Sequence, residues 1–251
     1  MSEIDISKVR GGINTVVIKL IDMNESISFK DGSKFYLSTK FEPQDHVPVW
    51  GEVVGLPSKL YFNKKDIPNS MEWETDMELH VGDTVYMEYL AVLRALSTEF
   101  NPADAYPQPQ WFKQDGVYYI IIRYQDIYFR VVDNEIFPIN GYCVAKPINV
   151  RQKEYKGIIL PEPEKKSRKW AEITYVGKSC KDFVDKKDRD SGDVKAGDVV
   201  LFNRWSNQKV ENKLHQTLFK DDGDYFVIQR KWMKVNAGNE ARELVESGVL
   251  N

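Results

Sequence analysis

Trp50-Gly51-Glu52-Val53-Val54-Gly55 is matched further along the chain by Trp170-Ala171-Glu172-Ile173, followed by Tyr175-Val176-Gly177. Later in each half, Val81-Gly82-Asp83-Thr84-Val85-Tyr86 is matched by Ala196-Gly197-Asp198-Val199-Val200-Leu201. An alternating apolar run opens each half: Thr15-Val16-Val17-Ile18-Lys19-Leu20 in the first and Gly141-Tyr142-Cys143-Val144-Ala145-Lys146 in the second. Each half closes on a stretch that follows an Asp-Gly pair, Tyr118 to Val131 after Asp115-Gly116 and Tyr225 to Val235 after Asp222-Gly223. Landmarks repeated in one order make an internal repeat. Runs of β-branched and aromatic residues with period two, bounded by Gly, Asp and Asn, build strands. Short strands of this kind point to small closed barrels, because closure removes exposed strand edges. The fold expected is therefore all-β, two tandem small β-barrels with long loops. Helical periodicity is read only at Glu240 to Val249, as a short surface tail.

The expected division is an N-terminal extension over 1–12, a first barrel over 13–133, a second over 134–235 and a tail over 236–251. The first barrel carries an insertion over about 97–112, where Pro102, Pro107 and Pro109 exclude a regular element and Tyr106 and Trp111 pin an ordered excursion. Its 251 residues, 42% hydrophobic and 29% charged, suit a soluble globular protein with ordinary cores. No apolar run approaches the roughly 20 residues that span a bilayer, and Met1-Ser2-Glu3-Ile4-Asp5 lacks the basic start of an export signal. No membrane partner and a cytoplasmic location are expected.

The residues offer no constellation for chemistry. Cys143 and Cys180 lie far apart, and His46, His80 and His215 have no ligand cluster around them, so neither a disulfide framework nor a metal site is read. A net charge of -3 with mixed signs gives no field for nucleic acid. Glu52 and Glu172 fall in separate copies and read as outward charges on half-buried strands rather than an acid pair. Gly11-Gly12, Gly32 and Gly116 lack the phosphate-binding pattern. No catalytic residue and no cofactor is assigned, and an enzyme is not expected.

One feature asks for a partner. Lys156-Gly157-Ile158-Ile159-Leu160-Pro161 sets an apolar triplet inside a charged, structure-poor run from Arg151 to Lys169. Its neighbours favour water, so the triplet sits exposed unless something covers it.

The ordered landmarks together with this triplet resemble the co-chaperonin of the GroES type, and each half resembles one copy. The second half is the clearer, from Gly141 through Gly157-Ile158-Ile159-Leu160-Pro161 to Val194-Lys195-Ala196-Gly197-Asp198-Val199-Val200-Leu201-Phe202-Asn203 and a last hairpin. The tandem form is similar to the double-domain co-chaperonin of chloroplasts. The resemblance implies that the loop after the first strand of each barrel is mobile, and that its apolar triplet docks in a groove of a GroEL-like chaperonin, which binds the ATP. Gly157, Ile158, Ile159, Leu160 and Pro161 are then the docking segment. In the first half Phe35, Tyr36 and Leu37 stand in place of the aliphatic triplet, a bulkier and secondary set. Further implications are roof hairpins at about 56–79 and 178–195, a homo-oligomeric ring, and a cap that assists ATP-dependent protein folding. The alternative is a structural or assembly protein, for example virion-associated, that reuses the barrel pair without binding a chaperonin.

Overall fold

A computed structural model describes residues 4–21, 26–28, 34–36, 47–67, 69–96, 110–150, 154–155, 158–159, 165–182, 194–202, 207–210, 219 and 224–250. The chain divides into two compact units, Met1–Glu72 with Asp76–Asp133, and Trp73–Thr75 with Asn134–Asn251. It is mostly β, with two main sheets and two short α-helices.

The first unit holds β1 (Thr15–Leu20), β2 (Ser26–Ser28), β3 (Lys34–Tyr36) and β4 (Trp50–Gly55). After β5 (Trp73–Glu74), which belongs to the second unit, come β6 (Thr84–Met87), helix α1 (Tyr89–Leu96), β7 (Trp111–Gln114), β8 (Val117–Arg123) and β9 (Ile127–Val132). Its strands lie side by side in the order β9-β6-β4-β1-β8-β7, each pair antiparallel.

The second unit continues with β10 (Glu135–Pro138), β11 (Tyr142–Val150), β12 (Glu154–Tyr155), β13 (Ile158–Ile159), β14 (Lys165–Val176) and β15 (Lys181–Asp182). Then come β16 (Val199–Phe202), β17 (Asn207–Lys209), β18 (Phe226–Gln229), β19 (Met233–Asn236) and α2 (Arg242–Glu246). Its main sheet runs β19-β16-β14-β11-β18-β17, again antiparallel throughout.

The neighbour order is the same in both units, and so is the register. Trp50 lies opposite Tyr86 as Trp170 lies opposite Leu201, and Glu52 opposite Thr84 as Glu172 lies opposite Val199. Ile18 pairs with Val53 and Ala145 with Ile173, in each case beside a bulge, after which Val17 meets Gly55 and Val144 meets Tyr175. The sequence match of Gly55 with Gly177 is thereby corrected, since Tyr175 occupies the place of Gly55. Gly177 has its own reason, a Cβ there lying 2.3 Å from the Tyr142 carbonyl oxygen.

Volumes compensate between the copies. A Cβ on Gly51 falls 2.2 Å from Cγ2 of Ile18, whereas the second unit sets Ala171 and Ala145 at the equivalent places and Phe226 where the first has Ile120. Close packing permits either solution but not a large residue at every site.

Three expectations are corrected. The first is helix α1, for which the sequence reading has no counterpart. Leu90, Ala91, Leu93, Arg94, Ala95 and Leu96 are good helix formers, and Ala91, Val92 and Ala95 are buried on one stripe. The insertion over 97–112 ends too late, because Trp111 and Phe112 sit in β7 opposite Ile120 and Tyr119; residues 97–109 lie outside those described. The C-terminal helix is not a surface appendage, since Val245 is fully buried. For the closed barrels expected from the sequence, each main sheet has the antiparallel strand order given above, and among the described residues no pairing of β7 with β9 or of β17 with β19 completes a ring. The residues 4–12 include a short 3-10 turn, Ile6–Lys8, capped by the Asp5 carboxylate.

Candidate functional site

β11 and β14 extend beyond the body of their sheet as an antiparallel arm. Their pairing runs from Cys143 opposite Val176 to Val150 opposite Lys165. Between Pro147–Ala171 and Asn149–Lys166 the register slips, so that Ile148 alone on β11 is matched by Ser167 to Trp170 on β14. Extra residues of this kind bend a strand and re-aim the chain beyond the bend. The Ser167 hydroxyl holds the bulge, its oxygen accepting the backbone N–H of Trp170 at 3.0 Å and of Lys169 at 3.4 Å. Lys166, past the bulge, pairs with the Asp224 carboxylate at 2.5 Å.

The arm carries residues 151–164. Within them β12 and β13 form a two-stranded sheet of their own, Glu154 opposite Ile159 and Tyr155 opposite Ile158. Ile158 and Ile159 therefore lie on the returning strand of a short hairpin, where the sequence predicts a structure-poor run. Tyr and Ile favour extended backbone, and that signal is present in the residues. Gly157, Leu160 and Pro161 lie outside the described residues.

The first unit repeats the arrangement with a longer loop. The pairing of β1 with β4 ends at Leu20 opposite Gly51, extended by the Ile21 N–H donating to the Trp50 carbonyl at 3.1 Å. Beyond it β2 and β3 pair through Ser26–Tyr36, Ile27–Phe35 and Ser28–Lys34. Phe35 and Tyr36 are again on the returning strand, and Leu37 lies outside the described residues. On the way back, Val47 and Val49 are buried.

Among the described residues no group of three or more His, Cys, Asp or Glu is placed to hold a metal ion. His80 lies against the Arg130 guanidinium at 2.9 Å, and Asp83 accepts from Arg130 at 3.1 Å, a surface cluster at a turn. Glu52 pairs with Lys19 at 3.5 Å and Glu172 with Arg242 at 3.0 Å, so the two repeated glutamates each have a basic partner of their own. A buried carboxylate, Asp126, and a half-buried one, Glu88, lie elsewhere in the first unit. Burial pushes Asp126 upward against the pull of Arg123, which donates two hydrogen bonds of 2.8 Å to it; burial, with the Asp126 charge, raises Glu88.

Comparison with known proteins decides the family. The chaperonin 10 Kd subunit (Cpn10) family matches residues 135–230. The co-chaperonin GroES of Methylocella silvestris is 34% identical over 92 residues, which is 35% of this chain and 90% of that protein. The chain belongs to the Cpn10 family. Further co-chaperonin GroES relatives are those of Petrotoga mobilis, 30% identical over 91 residues (36% of this chain, 83% of the relative), and Thermotoga neapolitana, 29% over 94 residues (38% and 86%).

The Cpn10 match takes in β10 to β18 and so includes the arm, its bulge and the whole run from Gly157 to Pro161. The stretches expected as roof hairpins, 56–79 and 178–195, supply β5 and β15, which pair with each other as Glu74 with Lys181 and Trp73 with Asp182. The Lys231 ammonium lies over the Trp73 ring, 4.5 Å from its centre. Cys180, expected in a polar loop, is buried beside Gly141, where an added Cβ would lie 2.7 Å from the Cys180 sulfur. Cys143 is buried too, and no disulfide joins the two. Among the described residues no helix is long and apolar enough to cross a membrane.

Proposed function

We propose that this chain is a non-enzymatic, cytoplasmic co-chaperonin that caps a GroEL-like chaperonin and assists folding driven by the partner's ATP. Ile158, Ile159 and Leu160 are its principal anchors, with Gly157 and Pro161 shaping the segment; Phe35, Tyr36 and Leu37 are a secondary set. The two units are tandem GroES-like barrels, a reading supported by their shared strand order and register, and the chain works as a homo-oligomeric ring. The observation that carries the proposal is that the Cpn10 match spans the hairpin bearing Ile158 and Ile159.

The energetics favour repeated weak contacts. Burying three large aliphatic side chains yields about 1.5–3 kcal/mol each, while each backbone residue fixed costs about 1–2 kcal/mol. One loop is close to break-even. Several loops on one ring raise one another's effective concentration, and avidity exceeds a single site by about 10²–10⁴-fold.

The test is nucleotide-dependent capture of a purified GroEL-type chaperonin by the full chain. Ile158→Ser with Leu160→Ser should lower that binding by at least about 10²-fold and leave the melting temperature nearly unchanged. Collapse of the melting temperature in that variant, or binding that ignores both substitutions, overturns the assignment of the anchors. Absence of chaperonin binding by the unaltered chain, with stoichiometric incorporation into another assembly, supports the structural-protein alternative.

A further inference from the structure

Trp50 and Trp170 hold equivalent places, but the residues that close over them differ. Around Trp50 the neighbouring strands supply aromatics, with ring centres of Tyr86 at 4.9 Å and Phe129 at 5.6 Å. In the second unit those two places fall to Leu201 and Val235, which are smaller. The deficit is met from the C-terminus. Ala241 and Val245 pack with Trp170, Ile148 and Val199, and Leu201, Ala237 and Leu250 border the cluster.

Trp170 is the last residue of the bulge from which the arm departs, and Ile148 is the residue opposite it on β11. The helix also ties to the arm's inner stretch through charge: Arg242 donates to Glu172 at 3.0 Å while its Nε donates to Glu246 at 2.9 Å. We propose that helix α2 is the positioning element of the docking loop, holding the root of the β11–β14 arm through Val245 against Ile148 and Trp170 and through Arg242 against Glu172. This rests on the co-chaperonin reading for what the loop docks to, and on contacts within the second unit alone for the clamp itself. The helix lies past residue 230, where the Cpn10 match ends.

A bulge without a clamp is a hinge. A strand that bends at unpaired residues opens locally at low cost unless side chains seat it. With the root seated, the loop samples fewer directions, so less conformational freedom is lost when it docks.

The experiment is hydrogen exchange on the free full chain, comparing the native sequence with Val245→Ala and with Arg242→Ala, followed by affinity for a purified GroEL-type chaperonin. Val245→Ala should speed exchange of the amides at 148–150 and 165–170 by about tenfold, leave Cys143 to Ala145 and Phe226 to Ile228 unchanged, and weaken chaperonin binding several-fold through its on-rate. Arg242→Ala should act in the same direction and more weakly, and Val92→Ala, a buried position of the first unit, should leave the 165–170 amides alone. Unchanged exchange at 148–150 and 165–170 in both variants overturns the clamp whatever the chaperonin does. Faster exchange with unaltered chaperonin affinity overturns its role in presenting the loop. If the native chain fails to bind a chaperonin, the functional reading falls, and the exchange data alone then decide the clamp.

Discussion

The first unit closes the outer face of its sheet with strand residues, while the second closes the same face with a segment added after the last strand. Trp50 is covered by Tyr86 and Phe129, and those two rings stack at 4.9 Å with planes 6° apart. Trp170 is covered by Val245 and Ala241 from outside the sheet. A register can thus be kept while the means of sealing it changes. A stacked aromatic wall is part of the strands it seals and cannot leave without unfolding them. A short helix held mainly by Val245, Ala241 and the Arg242–Glu172 pair can loosen by itself, because it lies outside the strand pairing.

The contrast is tested most severely by removing the tryptophans. Trp50→Ala should destabilise the first unit by about 3–5 kcal/mol, the range for a fully buried large aromatic, and Trp170→Ala should cost visibly less because α2 can shift into the space. Urea unfolding of each variant, followed by circular dichroism, measures both; equal losses would show the helix to be as rigid a seal as the aromatics.

The next test exchanges small residues. Gly51→Ala should cost about 1–3 kcal/mol, since the new methyl meets the Ile18 side chain and the Lys19 carbonyl oxygen, and overpacked cores are strained. Ala171→Gly, its counterpart, should cost about 0.5–1 kcal/mol from added freedom in the unfolded chain. If Gly51→Ala were rescued by Ile18→Ala, the second unit's solution would have been transplanted into the first. Melting temperatures of the two single variants and the double variant decide it.

Acid separates the units next. Glu88 and Asp126 have raised carboxyl pKa values in the folded state, burial being the first cause in both. The native state then holds these protons more tightly than the unfolded chain. Their burial therefore costs least at low pH and costs progressively more as pH rises from the ordinary carboxylate range through the raised folded values. Glu88→Gln should gain on the native protein as pH rises from about 4 to about 7, with the charges of Asp126, Arg94 and Arg123 still facing the site. Denaturant midpoints across that range check the slope; a gain that is flat with pH would exclude titration of Glu88 as the source.

The weakest response is expected on the surface. Lys19→Ala removes a half-exposed partner of Glu52 and should change stability by less than about 1 kcal/mol. Thermal unfolding at low and high salt measures it, and the difference from native should shrink as salt rises.

Much of the molecule is readable along the chain. Strand periodicity locates β1, β4, β6, β8 and β9 and their counterparts, because a sheet with one buried face writes its alternation into consecutive residues. The repeat places Trp50 with Trp170 correctly but slides Gly55 onto Gly177, since matching glycine to glycine overrides the constant offset that carries Trp50 to Trp170 and Gly55 to Tyr175. Helix α1 escapes a reading by strand period although its residues favour a helix, and the apolar triplet reads as structure-poor although Tyr155 and Ile158 pair across a hairpin.

Strands, turns, the doubled order of landmarks and an apolar triplet among charges are all written in the order of residues, because each depends on neighbours along the chain. Two facts needed the folded chain: Val245 closes over Trp170, and Ile18 with the Lys19 carbonyl leaves Gly51 no room for a side chain. They depend on volumes and distances between residues remote in sequence. Packing at close-packed density sets both at once, and no local pattern records the result.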